Sequence, residues 1–165
     1  MEKRLKGFEP IVSENSRVLI LGSMPSVVSL EKQEYYGFKH NRFWKIMGLY
    51  AGCRWESYEM KKRFILQEGF ALWDVIDSCE REGSLDSKIK NIICSDIDGL
   101  LKQYPKIHTV ILNGQKAASC YMRYFSHCPL RVRVLPSTSN ANRTIKESEL
   151  IEKWLNGLKE AFVLD

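Results

Sequence analysis

Four short segments rich in apolar residues recur along the chain, each followed by small or polar residues. They are Arg17-Val18-Leu19-Ile20-Leu21, Gly69-Phe70-Ala71-Leu72-Trp73, His108-Thr109-Val110-Ile111-Leu112 and Arg131-Val132-Arg133-Val134-Leu135. Runs of this length bounded by turn residues predict strands. Between them the apolar spacing changes to that of a helix. Phe43, Ile46, Met47 and Tyr50 predict a helix over 41–50, and further helices are predicted over 58–67 and 115–124. Ser95 is read as the cap of a helix running to Gln103, with Asp96 and Asp98 near its N-terminus. Thr144-Ile145-Lys146-Glu147 reads as a capping box opening a last helix, with Leu150, Ile151, Trp154, Leu155, Leu158 and Phe162 on one stripe. The stretch from Ser23 to Lys39 is expected to be a long functional loop.

Strands alternating with helices predict an α/β fold, a three-layer sandwich. Ligands of such sheets bind at the carboxyl ends of the strands, beside the point where the strand order reverses. Gly22, Asp74, Asn113 and the residues from Pro136 onward all fall at strand ends. A single domain spanning 1–165 is expected from the length.

Composition narrows the function without fixing it. Apolar residues make up 44% and charged residues 27%, as in ordinary globular proteins. A net charge of +5 suits a polyanionic partner. Cys53, Cys79, Cys94, Cys120 and Cys128 form no CxxC pair or zinc spacing, so reduced thiols and no metal are expected. Met1 to Pro10 has no apolar signal segment, and no run would span a membrane. A cytoplasmic monomer is the corresponding expectation.

Three segments could carry chemistry. Gly22-Ser23-Met24-Pro25-Ser26 follows the first strand, and its small residues would let a ligand approach the backbone. It is neither a P-loop nor a dinucleotide fingerprint. The stretch from Tyr35 to Trp44 is dense in aromatics, and a flat ring in a strand-end cleft can stack on a nucleobase. Lys39, His40 and Arg42 within it would suit phosphate. Leu135 to Arg143, which includes Ser137, Thr138, Ser139, Asn140 and Asn142, is rich in small donors of the kind that grip phosphates.

Taken in order, Gly22–Ser26, Tyr35-Tyr36, Asn41-Arg42-Phe43-Trp44, Leu72-Trp73-Asp74, Leu112-Asn113-Gly114 and Leu135–Ser139 together resemble the uracil-DNA glycosylase superfamily, and most nearly its hypoxanthine (deoxyinosine) branch. The resemblance implies a four-stranded, mostly parallel sheet flanked by helices, and an enzyme needing no metal or cofactor. Its partner would be DNA containing a deaminated base. Gly22, Ser23, Met24 and Pro25 would form the first active-site motif. Tyr35 or Tyr36 would stack on the extruded base, with Phe43 and Asn113 also in the substrate site. Asn41 matches the branch's catalytic asparagine, and Asp74 stands where pyrimidine-selective relatives place a base-reading asparagine. Ser137, Thr138, Ser139, Asn140, Asn142 and Arg143 would contact DNA.

Two departures matter. The first motif lacks the water-orienting aspartate of the most active uracil enzymes, and Asn140 stands where proline is expected. No lysine stands out as a Schiff-base nucleophile, so base release without strand cleavage is expected. Two other classes compete. One is a silent module that only recognises damaged DNA. The other is a small hydrolase using Ser23 or Ser26 with His40, though a GxSxG elbow is absent.

Overall fold

The structure is a computed structural model that describes residues 4–164. In chain order the elements are β1 (Arg4–Lys6), β2 (Val18–Gly22), α1 (Val27–Lys32), α2 (Phe43–Ala51), α3 (Tyr58–Gln67), β3 (Phe70–Asp74), β4 (Ile76–Glu80), β5 (Lys90–Cys94), α4 (Ile97–Gln103), β6 (Thr109–Asn113), α5 (Gln115–Tyr124), β7 (Arg131–Leu135) and α6 (Glu147–Ala161).

Four strands form an all-parallel sheet in the order β3-β2-β6-β7. β2 and β6 are buried throughout, because helices cover both faces of the sheet. Alternation sorts their side chains. Leu19, Leu21, Val110 and Leu112 pack with Ile97 and Leu100 of α4 and Ala118 and Tyr121 of α5. Val18, Ile20 and Ile111 pack with Ile46 and Met47 of α2 and Leu150, Trp154 and Leu158 of α6. The chain passes from β2 outward to β3, then returns to lay β6 on the other side of β2. The order therefore reverses at β2, and Gly22, Asp74, Asn113 and Leu135 all finish at one end of the sheet.

Several elements differ from the sequence reading. The Ser23–Lys39 stretch contains α1, capped by Ser26, whose hydroxyl accepts from the Ser29 N–H at 3.2 Å. Ser95 is not the cap of α4. Its hydroxyl is buried and donates to the Asp74 carbonyl at 2.6 Å, and Asp96 caps the helix instead. The Thr144 capping box does not form, because Asn142 Oδ1 takes both the N–H and the hydroxyl of Thr144. α6 begins at Glu147 without a side-chain cap. A second, antiparallel sheet of order β1-β4-β5 was not expected at all. The five cysteines are free, and no described helix is long and apolar enough to cross a membrane.

Trp154 joins the core to the strand-end loops. Its ring is fully buried edge-on to Phe43, and its indole N–H donates to the Pro136 carbonyl at 2.8 Å. Trp154→Ala is expected to cost roughly 3–5 kcal/mol. Trp154→Phe keeps most of the volume but strands a carbonyl, at roughly 1–3 kcal/mol. Urea unfolding of the two variants checks this ordering.

Candidate active site

Beyond the ends of the parallel strands the chain forms a half-open cavity of about 1130 Å³. Gly22, Ser23, Met24 and Pro25 line it on one side, Asn113 and the 136–142 loop on another, and Tyr36, Asn41 and Asp74 between them. The sequence reading thus brings one site together from five separate segments.

The loop after β7 is held by side chains that reach its backbone. Asn113 Nδ2 donates to Thr138 Oγ1 at 3.0 Å, and Asn113 Oδ1 accepts from the Thr138 N–H at 3.0 Å. Arg42 donates from Nε to the Thr138 carbonyl at 3.2 Å and from Nη2 to the carbonyls of Ser139 and Asn142. Asn142 Nδ2 donates to the Ser137 carbonyl at 3.1 Å. The loop is therefore stiff without a proline at position 140. Arg42, read from sequence as a phosphate-binding residue, is committed to these carbonyls. Thr138 is buried by the same network, so it positions the loop rather than offering a surface to DNA. Gly114 lies beside this loop with φ +92°, and a Cβ there would sit 2.9 Å from Ser137 Cβ. Arg143 is exposed and lines a smaller cavity of about 440 Å³ with His40 and Asn140.

The aromatic segment separates into floor and face. Tyr35 is only 4% exposed; its hydroxyl donates to the Glu9 carbonyl at 2.8 Å, and its ring packs edge-on against Phe8. Tyr36 is half-buried and stacks on Phe43 with centroids 4.0 Å apart. Its hydroxyl accepts from Asn113 Nδ2 at 3.3 Å. Phe43, expected among the substrate-binding residues, is fully buried and does not line the cavity. It serves as backing that fixes the plane of Tyr36. One face of Tyr36 is thus occupied by Phe43, and the residue also lines the cavity.

Asn41 sits just ahead of α2. Its Oδ1 accepts from the Phe43 N–H at 2.9 Å, so it does bind the helix start, although the helix begins two residues later than the 41–50 span predicted. That bond fixes the amide's orientation. Its Nδ2 makes no hydrogen bond to any described residue, while Asn41 lines the cavity.

Asp74 ends β3 and is 4% exposed. Its Oδ2 is buried without a hydrogen-bond partner. Burial, and then the nearby carboxylate of Asp86, push its pKa up to about 7, against a smaller opposing pull from Arg81. Opposite it in register is Gly22. A Cβ on Gly22 would lie 2.6 Å from Asp74 Oδ1 and 3.0 Å from the Tyr36 hydroxyl, so only glycine fits.

The far wall was not read from the sequence. It comes from the turn between β4 and β5. Ser23 Oγ donates to Asp86 Oδ1 at 2.7 Å, Ser84 Oγ accepts from the Val27 N–H at 2.9 Å, and Arg81 Nη2 donates to the Pro25 carbonyl at 2.6 Å. The turn signal Glu82-Gly83-Ser84 was available, but nothing in it says which loop it would grip. Lys116 and Lys153 also line the cavity.

No hydrogen bond joins His40 to Ser23 or Ser26. Ser23 is bonded to Asp86, Ser26 caps α1, and His40 is exposed. The serine-hydrolase reading loses its general base. Among the described residues, one mixed group has metal-ligand chemistry, namely Asp98, His127 and Cys128. It lies outside the cavity, and its members hydrogen-bond one another through Asp98 Oδ1.

Comparison with known proteins gives the same direction. Residues 9–159 match the family described as the Uracil DNA glycosylase superfamily. A hypoxanthine DNA glycosylase of Methanosarcina acetivorans is 38% identical over 145 residues, covering 87% of this chain and 91% of that protein. A hypoxanthine DNA glycosylase of Methanosarcina barkeri is 33% identical over 159 residues, covering 95% and 97%. The solution NMR structure of a proposed uracil DNA glycosylase from Methanosarcina acetivorans superposes with a TM-score of 0.84 at 35% identity, covering 96% of this chain and 99% of that one. By its match over most of its length and by these relatives, the chain belongs to the uracil DNA glycosylase superfamily.

Proposed function

We propose that this chain is a monofunctional DNA glycosylase that hydrolyses the N-glycosidic bond of a deaminated base, hypoxanthine foremost. The observation that carries the reading is Asn41, an amide locked by its own helix that presents an unused donor to the strand-end cavity. The identity of the relatives supports the choice of base.

The anomeric carbon is hidden in a duplex, so the nucleotide must be flipped into the cavity. Tyr36 stacks on the base. The backbone around Gly22 to Pro25 admits it closely. Asn41 donates from Nδ2 to the sugar or base, while the second lone pair of Oδ1 holds the attacking water. An asparagine is no strong base, so the rate depends on positioning and on stabilising the negative charge that develops on the leaving base. Ser137, Ser139, Asn140 and Asn142 face the backbone of the DNA, with Arg143 beside them. One chain supplies all of these groups, in keeping with action as a monomer.

Two predictions follow the roles assigned here. Asn41→Ala removes both the helix-start bond and the amide, whereas Asn41→Asp keeps the acceptor and loses the donor. Both should excise inosine at least about a hundredfold more slowly under single-turnover conditions. The Asp variant should melt near wild type, and the Ala variant should lose about 0.5–2 kcal/mol of stability. An Asp variant with the wild-type rate would reduce Asn41 to a cap. Abasic sites should appear without strand breaks until alkali is added.

Affinity for DNA should fall steeply with salt, because phosphate contacts release counterions. Arg143→Ala should weaken binding to damaged and undamaged duplexes alike and lower the slope of log affinity on log salt by about one. Fluorescence anisotropy across a salt series measures both.

A further inference from the structure

Asp74 poses a problem that its position alone does not solve. A glycosylase loads negative charge onto the departing base, and a second negative charge in the same pocket would oppose that step. Yet a carboxyl group lies in the cavity wall, with one oxygen buried and unpartnered. A buried polar atom left unmatched in this way calls for an explanation.

No neighbour holds Asp74 ionised. Arg81, at the end of the antiparallel hairpin, gives its Nη2 to the Pro25 carbonyl and its Nε to the Gly83 carbonyl. Asp86, from the same hairpin turn, is itself a carboxylate. Tyr35 and Tyr36, which face Asp74 from the segment after α1, are neutral phenols whose own pKa values are raised by burial first and by Asp74 next. Asn113, from β6, has spent its Nδ2 on Tyr36 and Thr138. The backbone is also fixed, because Ser95 Oγ bonds the Asp74 carbonyl. Burial and the Asp86 carboxylate outweigh the smaller pull of Arg81, and the carboxyl group is left more comfortable with its proton than without it.

We propose that Asp74 is the acid of this site, held protonated in the cavity wall and delivering its proton to a ring nitrogen of the departing purine. The proposal rests on the glycosylase reading above. As the C1′–N9 bond breaks, its electron pair moves into the purine ring. The Asp74 proton passes to a ring nitrogen, so the base leaves neutral. The oxygen of the water held at Asn41 bonds to C1′, and one water proton is released to solvent. Asp74, now a carboxylate, regains a proton from solvent once the product leaves. A ring nitrogen is weakly basic while the base is attached and much more basic as it departs. An acid whose pKa has risen to about 7 is poised for that transfer at neutral pH.

The test is single-turnover release of hypoxanthine from duplex DNA between pH 5.5 and 8.5, in the wild-type protein and in Asp74→Asn. The asparagine keeps the volume and a hydrogen-bond donor but has no proton to give. The wild-type rate is expected to fall about tenfold per pH unit above an apparent pKa near 7. The variant is expected to be at least about tenfold slower at pH 6 and level across the range. A thermal-melting series gives a readout independent of turnover. A carboxyl group whose pKa is raised on folding makes the folded protein lose stability as pH climbs from the ordinary carboxylate range through about 7. Asp74→Asn should remove that loss, so that its melting temperature gains on wild type as pH climbs to about 7 and the difference stays level above it. A wild-type rate that is level or rises with pH, or an alkaline fall that survives in Asp74→Asn, overturns the assignment while leaving the glycosylase reading standing. A wild-type protein that releases no base at any pH overturns both.

Discussion

Arg42 gives its guanidinium to three main-chain carbonyls of one loop, and the geometry of the site depends on that commitment. A loop beyond the end of a parallel strand has no ladder to satisfy its carbonyls. Water would normally do so and leave the loop free to move. Here a cation from the start of α2 replaces the water, and Asn113 from β6 completes the grip. Hydrogen bonds to a charged donor contribute more than neutral ones. The same arginine immediately follows Asn41, so the group assigned to catalysis and the loop assigned to DNA are fixed by one residue step of backbone.

Three buried polar side chains thus meet at the strand ends with different jobs. Asn113 is saturated and structural. Thr138 is bonded through its hydroxyl oxygen and its N–H to Asn113 and lies in the loop that Asn113 holds. Asp74 alone has an oxygen with no partner. A fully satisfied network adds rigidity, whereas an unsatisfied member is costly unless something else uses it. The contrast separates the support of this site from its reactive part. It also explains why Gly22 is confined to hydrogen, since the space a methyl group would need belongs to Asp74 and Tyr36.

The parallel sheet was legible because its strands are buried on both faces and carry unbroken apolar runs, as in Val18–Leu21 and Val110–Leu112. The strand-end positions of Gly22, Asp74 and Asn113 followed from that. The antiparallel sheet was hidden for the opposite reason. β5 is mostly exposed, β4 mixes buried Ser78 and Cys79 with half-exposed Asp77 and Glu80, and neither leaves a clean alternation. Local capping signals failed where another partner outbid them, a tertiary one for Ser95 at Asp74 and a neighbour two residues away for Thr144 at Asn142. Tyr35 and Tyr36 are adjacent and chemically identical. Both line the cavity, and only packing leaves Tyr35 buried and Tyr36 half-exposed there, which no periodicity predicts.

The hairpin turn that closes the far wall touches the Gly22–Ser29 segment through Arg81, Ser84 and Asp86, and each contact runs between a side chain and one partner on that segment. None of them belongs to the parallel sheet's ladder. The turn therefore behaves as a fitted panel rather than a beam. Its length, and its side chains apart from Arg81 and Asp86 beside Asp74, can vary while the strands, the Asn41 helix and the clamped loop stay where they are. Within one superfamily, such a part would let the width of the base pocket be recut for a purine or a pyrimidine without refolding the protein around it.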